Sequence, residues 1–190
     1  SNVRYMSDTF GNTSSLTDIG ALANWDTSSV TSIRSMFQGA SRLTNIDALS
    51  NWDTSSVADM SSMFSGASSL TNIDGASNWD TSKVTNMSGM FYGAENLKSL
   101  NVKKWDTSKV TDMSGMFCDA WALTELNLSH FNTSKATNMN AMFKNYKGEL
   151  PDMSKWKTYN VKDMSYLFYG CTCKKIKIRN WNTKNVENMS

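Results

Sequence analysis

One phrase, repeated, constrains this chain more than anything else in it. Trp79-Asp80-Thr81-Ser82-Lys83-Val84-Thr85-Asn86-Met87-Ser88-Gly89-Met90-Phe91-Tyr92-Gly93 recurs with small changes from end to end. Aligned on the aromatic, the anchors are Trp25, Trp52, Trp79, Trp105, Phe131, Trp156 and Trp181, in steps of 27, 27, 26, 26, 25 and 25 residues. A fixed period in this range marks a stacked array, in which each copy buries its apolar face against its neighbours. A lone copy could not offset its own ordering entropy.

The columns define an interior. Five residues past each anchor stands a small apolar residue, such as Val57, Val84 or Ala136, followed by Met60, Met87 or Met139. Then comes a Met-Phe pair, as in Met63-Phe64 and Met90-Phe91. Their offsets of 0, 3, 6 and 7 predict one face of a short helix or 3₁₀ segment. Gly39, Gly66, Gly93 and Gly170 follow and suit a left-handed helix stop. Gly89 and Gly115 would weaken that helix from inside. After the glycine, stretches such as Leu97-Lys98-Ser99-Leu100-Asn101-Val102, Leu123-Thr124-Glu125-Leu126-Asn127-Leu128 and Lys175-Ile176-Lys177-Ile178-Arg179 alternate as half-buried strands. Leu-x-x-Leu-x-Leu is also a leucine-rich-repeat spacing. The expected fold is therefore α/β: a leucine-rich-repeat-like right-handed solenoid, with one parallel strand per coil and short helices or 3₁₀ turns opposite.

The anchor-to-Phe distance is always 12 residues, whereas Phe-to-next-anchor runs 15, 15, 15, 14, 14, 13, 13. All length change lies on the presumed strand side, so the Val-Met-Phe side should be the rigid template and the cross-section should shrink toward the C-terminus. Residues 1–190 form a single domain of about seven repeats. Both ends fall inside a repeat: Ser1-Asn2-Val3 aligns with Ser82-Lys83-Val84, and Met189-Ser190 stops at the Met87 column. Net charge is +2. Residues 1–95 carry four basic and nine acidic side chains, and residues 96–190 carry fifteen and eight, which makes the molecule an electric dipole along its length.

Side chains that could carry chemistry fall into the same columns. Asp26, Asp53, Asp80 and Asp106 are continued by Asn132, Lys157 and Asn182, which favours turn-capping over calcium. The complete Thr column, Thr27 to Thr183, predicts a cap or a hydroxyl ladder. The 13 methionines occupy core columns. Cys118, Cys171, Cys173 and the single His130 assemble neither a zinc site nor a catalytic triad. No phosphate-binding glycine loop is present. The sequence thus predicts no enzyme, no cofactor and no metal site. The variable, outward positions of the strand side remain, and from these Asp47, Asp74, Asn101, Asn127, Lys177 and Arg179 are the candidate ligand-binding residues. Lys174 and Lys175 join the last two in a basic cluster, but the acidic half and the lack of an aromatic platform argue against nucleic acid. No apolar run reaches membrane-spanning length.

The phrase from Trp79 to Gly93 resembles the bacterial surface-protein repeat of about 26 residues found in Gram-positive and Mycoplasma surface proteins and lipoproteins, which is similar to the BspA-like leucine-rich repeats. The resemblance spans the chain. The sixth copy departs from it, with Lys157 for Asp and Leu150-Pro151-Asp152 across the strand. The resemblance implies an extracellular or cell-surface protein that acts in adhesion and contacts host or cell-surface proteins. A structural stalk and a glycan-binding module are the alternatives.

Overall fold

A computed structural model describes residues 2–190; Ser1 lies outside them. The repeats do stack. Parallel bridges link Tyr5 to Ser32, then Ser32 to Asp59, Asn86, Asp112, Asn138, Asp163 and Asn188 in succession. The interior is continuous along the stack. Val57, Met60, Met63 and Phe64 are all buried, as are their equivalents in neighbouring coils. Phe10, Phe37, Phe64, Phe91, Phe117, Phe143 and Phe168 form one file of stacked rings, with centroids 5.5–6.0 Å apart.

The α/β class is wrong, and so is the leucine-rich-repeat solenoid with parallel strands. Among the described residues there is no α-helix and no sheet, only single-residue bridges. Moreover, the bridges lie on the Val-Met-Phe side, where the spacing predicted helix. The only helical pieces among the described residues, 3₁₀ turns at Gly20–Asn24, Asp47–Leu49 and Asp74–Ala76, lie on the side expected to form strands.

Backbone chemistry explains the exchange. On the constant side the N–H groups alternate in use. Those of Met60, Ser62, Phe64 and Gly66 donate to Asn86, Ser88, Met90 and Tyr92 of the next coil at 2.7–3.0 Å. Those of Met63, Ser65 and Ala67 close three-residue turns onto Met60, Ser62 and Phe64. Overlapping tight turns can point every second N–H sideways only if the chain enters the left-handed region between them. Ser62 and Gly66 do so, at φ 54° and 70°. The same two columns are left-handed in neighbouring coils: Ser35, Gly89, Gly115, Ala141 and Tyr166 in one, Gly39, Gly93, Asp119, Asn145 and Gly170 in the other. Gly89 and Gly115 are therefore not weak points in a helix; they hold the conformation that other residue types adopt only with strain. A side chain every three to four residues still faces inward, so the apolar spacing imitates a helix.

The loop side alternates inward and outward without lateral pairing. Coil-to-coil bonds there are sparse, such as Lys98 N–H to Thr71 O at 3.0 Å and Met153 N–H to Lys177 O at 3.1 Å. Pro151 is thus accommodated without breaking a ladder. The three 15-residue loop segments are the ones that contain the 3₁₀ turns, and the 14- and 13-residue segments lack them, so the lost residues come from that turn. In the fifth coil Tyr146 takes the slot that holds Ala40, Ala67, Ala94 and Ala120 elsewhere, and Glu149 replaces the inward Leu three residues on. The Tyr146 ring is fully buried, edge-on to Phe143 at 6.1 Å. Its hydroxyl has no partner, and burial holds its pKa well above the ordinary value.

Candidate ligand-binding faces

The polar columns serve the stack first. Thr54 Oγ1 donates to Asp80 O at 3.0 Å, and Thr27, Thr81, Thr107, Thr133 and Thr158 repeat the bond one coil on. This is the hydroxyl ladder, and it is buried. From the fourth coil it becomes two-way, since Thr107 and Thr133 Oγ1 also accept the Asn132 and Lys157 N–H groups, each at 2.8 Å. Asp53 and Asp80 accept the N–H groups of Ser55 and Ser82 at 3.0 and 2.9 Å, which are the expected capping turns. The Ser55 and Ser82 hydroxyls and N–H groups lower the pKa of both carboxyls from the ordinary aspartate value. A second capping column escaped sequence reasoning: Asp59, Asn86, Asp112, Asn138 and Asp163 accept from the residue two positions on at 2.8–3.0 Å. Its signal was an unbroken Asp/Asn column just ahead of Met60, Met87, Met113, Met139 and Met164.

The anchor column carries a second bond. The indole Nε1 of Trp52, Trp79, Trp105, Trp156 and Trp181 donates to a carbonyl of the preceding coil at 3.0–3.3 Å. The residue that owns that carbonyl stands three before the preceding coil's own anchor. The Phe131 ring has no N–H to give. Its neighbour His130 supplies one, with Nε2 2.8 Å from the equivalent Val102 carbonyl and its ring edge-on to Phe131 at 5.1 Å. A carbonyl only accepts, so the proton sits on Nε2. The single histidine is thus half of a two-residue replacement for tryptophan.

Two of the three thiols, Cys118 and Cys173, are poor nucleophiles. Burial, then the Asp119 carboxylate that its Sγ contacts at 3.3 Å, pushes Cys118 up to about 12. Burial, then Cys171, pushes Cys173 up to about 11. Both keep their protons near neutrality. Among the described residues, no three His, Cys, Asp or Glu side chains converge as metal ligands.

Asp47, Asp74, Asn101, Asn127, Lys177 and Arg179 are all exposed. They do not stand on a sheet, as expected, but on the outward positions of the loop side. Three of them come together: Asp74, Asn101 and Asn127 line a shallow groove of about 510 Å³. Lys98, Lys103 and Glu125 share its walls, so both charge signs are present. Asp47, Lys177 and Arg179 lie outside it. Asn127 spends its Oδ1 on its own turn, accepting Ser129 N–H at 3.1 Å, which leaves its amide N–H₂ outward.

Segments 4–99, 68–149 and 96–190 each match the family described as Mycoplasma protein of unknown function, DUF285. The chain belongs to that family. The three DUF285 matches overlap and together take in nearly every copy, as expected of a periodic chain. The expectation of a bacterial repeat protein of Mycoplasma type therefore holds. No curated protein and no solved structure matches the chain. No helix among the described residues is long and apolar enough to cross a membrane.

Proposed function

We propose that this DUF285 chain is a non-enzymatic, extracellular cell-surface module for adhesion, and that it contacts a host or cell-surface protein through its loop side. The observation that carries this reading is the groove between Asp74 and Asn127. It runs across three coils, is lined by both charge signs, and uses positions that the stack leaves free to vary. The buried polar columns are, by contrast, engaged between coils. The likeness of the Trp79–Gly93 phrase to surface-protein repeats, including the BspA-like group, supports the surface location.

The test is capture on a panel of purified extracellular-matrix and cell-surface proteins. Lys98→Glu with Lys103→Glu should weaken capture at least about tenfold, because a rim that pairs charges loses attraction and gains repulsion. The charge reversals Lys177→Glu and Arg179→Glu test the basic cluster separately. Capture unchanged by either pair would overturn the loop side as the contact face. A stalk that holds another domain away from the cell is the second reading, favoured by the unbroken coil-to-coil bonding. It expects no capture by this chain on any panel.

A further inference from the structure

The turn side carries an aromatic surface that shares no residue with the loop groove. The position after each inward Phe forms a column: Gln38, Ser65, Tyr92, Cys118, Lys144, Tyr169. Residues 77 apart in sequence thereby come within three coil steps, roughly 14 Å at about 4.8 Å per step. Tyr92, Tyr166 and Tyr169 are 47%, 49% and 61% exposed. Tyr166 and Tyr169 meet edge to face, with centroids 5.9 Å apart. Lys144 Nζ lies 5.8 and 5.7 Å from their two ring centres. Tyr92 leans over bare backbone, since a Cβ on Gly115 would sit only 3.8 Å from its Cδ2. Beside the column Asp119 accepts from Asn145 Nδ2 at 2.7 Å.

We propose that this surface binds a neutral oligosaccharide laid along the stacking axis from Tyr92 to Tyr169. Exposed rings fixed on a hydrogen-bonded backbone suit the C–H face of a sugar ring, and phenol hydroxyls offer a polar edge. Asp119, Lys144 and Asn145 stand between the rings and can meet hydroxyls. One carboxylate and one ammonium balance each other, which fits neither a polyanion nor a polycation. Around Tyr92 a peptide strand has nothing to pair with, because the N–H groups of Gly89, Phe91 and Gly93 are already given to the next coil at 2.7–3.1 Å. The sequence pattern hid this surface: Tyr92 and Tyr169 are separated in their column by a cysteine and a lysine, so no aromatic period is visible.

The experiment is an array of neutral hexose and N-acetylhexosamine oligomers, with every hit titrated by calorimetry. At least one oligomer should bind. Tyr169→Ala and Tyr92→Ala should each weaken it about tenfold, from lost ring contact. Lys144→Gln should weaken it less. Tyr159→Ala, which removes an exposed ring outside the column, should leave it unchanged. Matching urea midpoints verify that each variant is folded. A blank array overturns the proposal, as does binding that survives the Tyr92→Ala/Tyr169→Ala double or falls equally with Tyr159→Ala. The groove variants Lys98→Glu and Lys103→Glu should not alter sugar binding, so this proposal and the protein-contact reading fail separately.

Discussion

Replacing His130 by alanine should cost about 1 kcal/mol, and Phe131→Trp should restore it. The Val102 carbonyl takes two bonds: the Trp105 N–H of its own coil at 3.0 Å and His130 Nε2 of the next at 2.8 Å. His130→Ala removes only the second. The carbonyl keeps one partner, so the loss is a net hydrogen bond, about 0.5–1.5 kcal/mol, and not the full penalty for an orphaned buried group. For a chain of this size that is a drop of roughly 2–4 °C in Tm. Every other anchor after Trp25 reaches the equivalent carbonyl with an indole at 3.0–3.3 Å. Tryptophan at 131 therefore has a position ready for it, but in the native background His130 occupies the acceptor. Phe131→Trp should gain nothing alone and about 1 kcal/mol when His130 is alanine. The assay is a double-mutant cycle by urea unfolding, followed by circular dichroism and intrinsic fluorescence. A coupling energy near zero, or His130→Ala within about 0.3 kcal/mol of the parent, would refute the exchange.

Four further outcomes follow from the same geometry. Ala141→Gly, at φ 52°, should raise stability by up to about 1 kcal/mol, and Gly66→Ala, at φ 70° with only ordinary contacts around its missing Cβ, should lower it by about as much; urea midpoints decide both. Gly75→Ala should cost more, about 1–3 kcal/mol, because the new Cβ would overlap the Ile46 carbonyl of the previous coil. Thr133→Val strands both the N–H and the C=O of Lys157, whereas Thr54→Val strands only Asp80 O, so the first should destabilise about twice as much as the second in chemical denaturation. Asp53 and Asp80 have lowered folded-state pKa values, so their contribution is complete above about pH 4 and is lost as the pH falls through those lowered values; Asp53→Asn with Asp80→Asn should flatten the stability–pH curve there, since Asn keeps the turn without titrating.

The interior was legible because burial leaves its mark in every copy. The Trp, Val, Met and Phe columns, the Thr ladder, the Asp caps and the left-handed Gly39 column all follow from residue type and spacing. The secondary structure was not. Offsets of 0, 3, 6 and 7 report which side chains face inward, and overlapping turns with two left-handed residues satisfy them as well as a helix does. The clue lay in the mixed column Ser35, Ser62, Gly89, Gly115, Ala141, Tyr166. Two glycines there meant that φ is positive, which a helix interior forbids. The strand reading failed for a different reason. Alternation in Leu97–Val102 records only inward and outward facing; lateral pairing is a separate matter, and coil-to-coil bonds on that side stay sparse even between loop segments of equal length. At the candidate site, the sequence placed Asp74, Asn101 and Asn127 in one row correctly. It could not separate them from Lys177 and Arg179, which are two coils further on.

The twelve-residue clasp between anchor and Phe has an evolutionary consequence. Its bonds run only to the copies directly above and below, and each copy presents the same connectors. A copy could therefore be duplicated or dropped by recombination between near-identical segments without spoiling the fit of the others. Loop residues could meanwhile be inserted, deleted or exchanged outside the clasp. Such a lineage would be free to redraw its exterior while inheriting an unchanged spine.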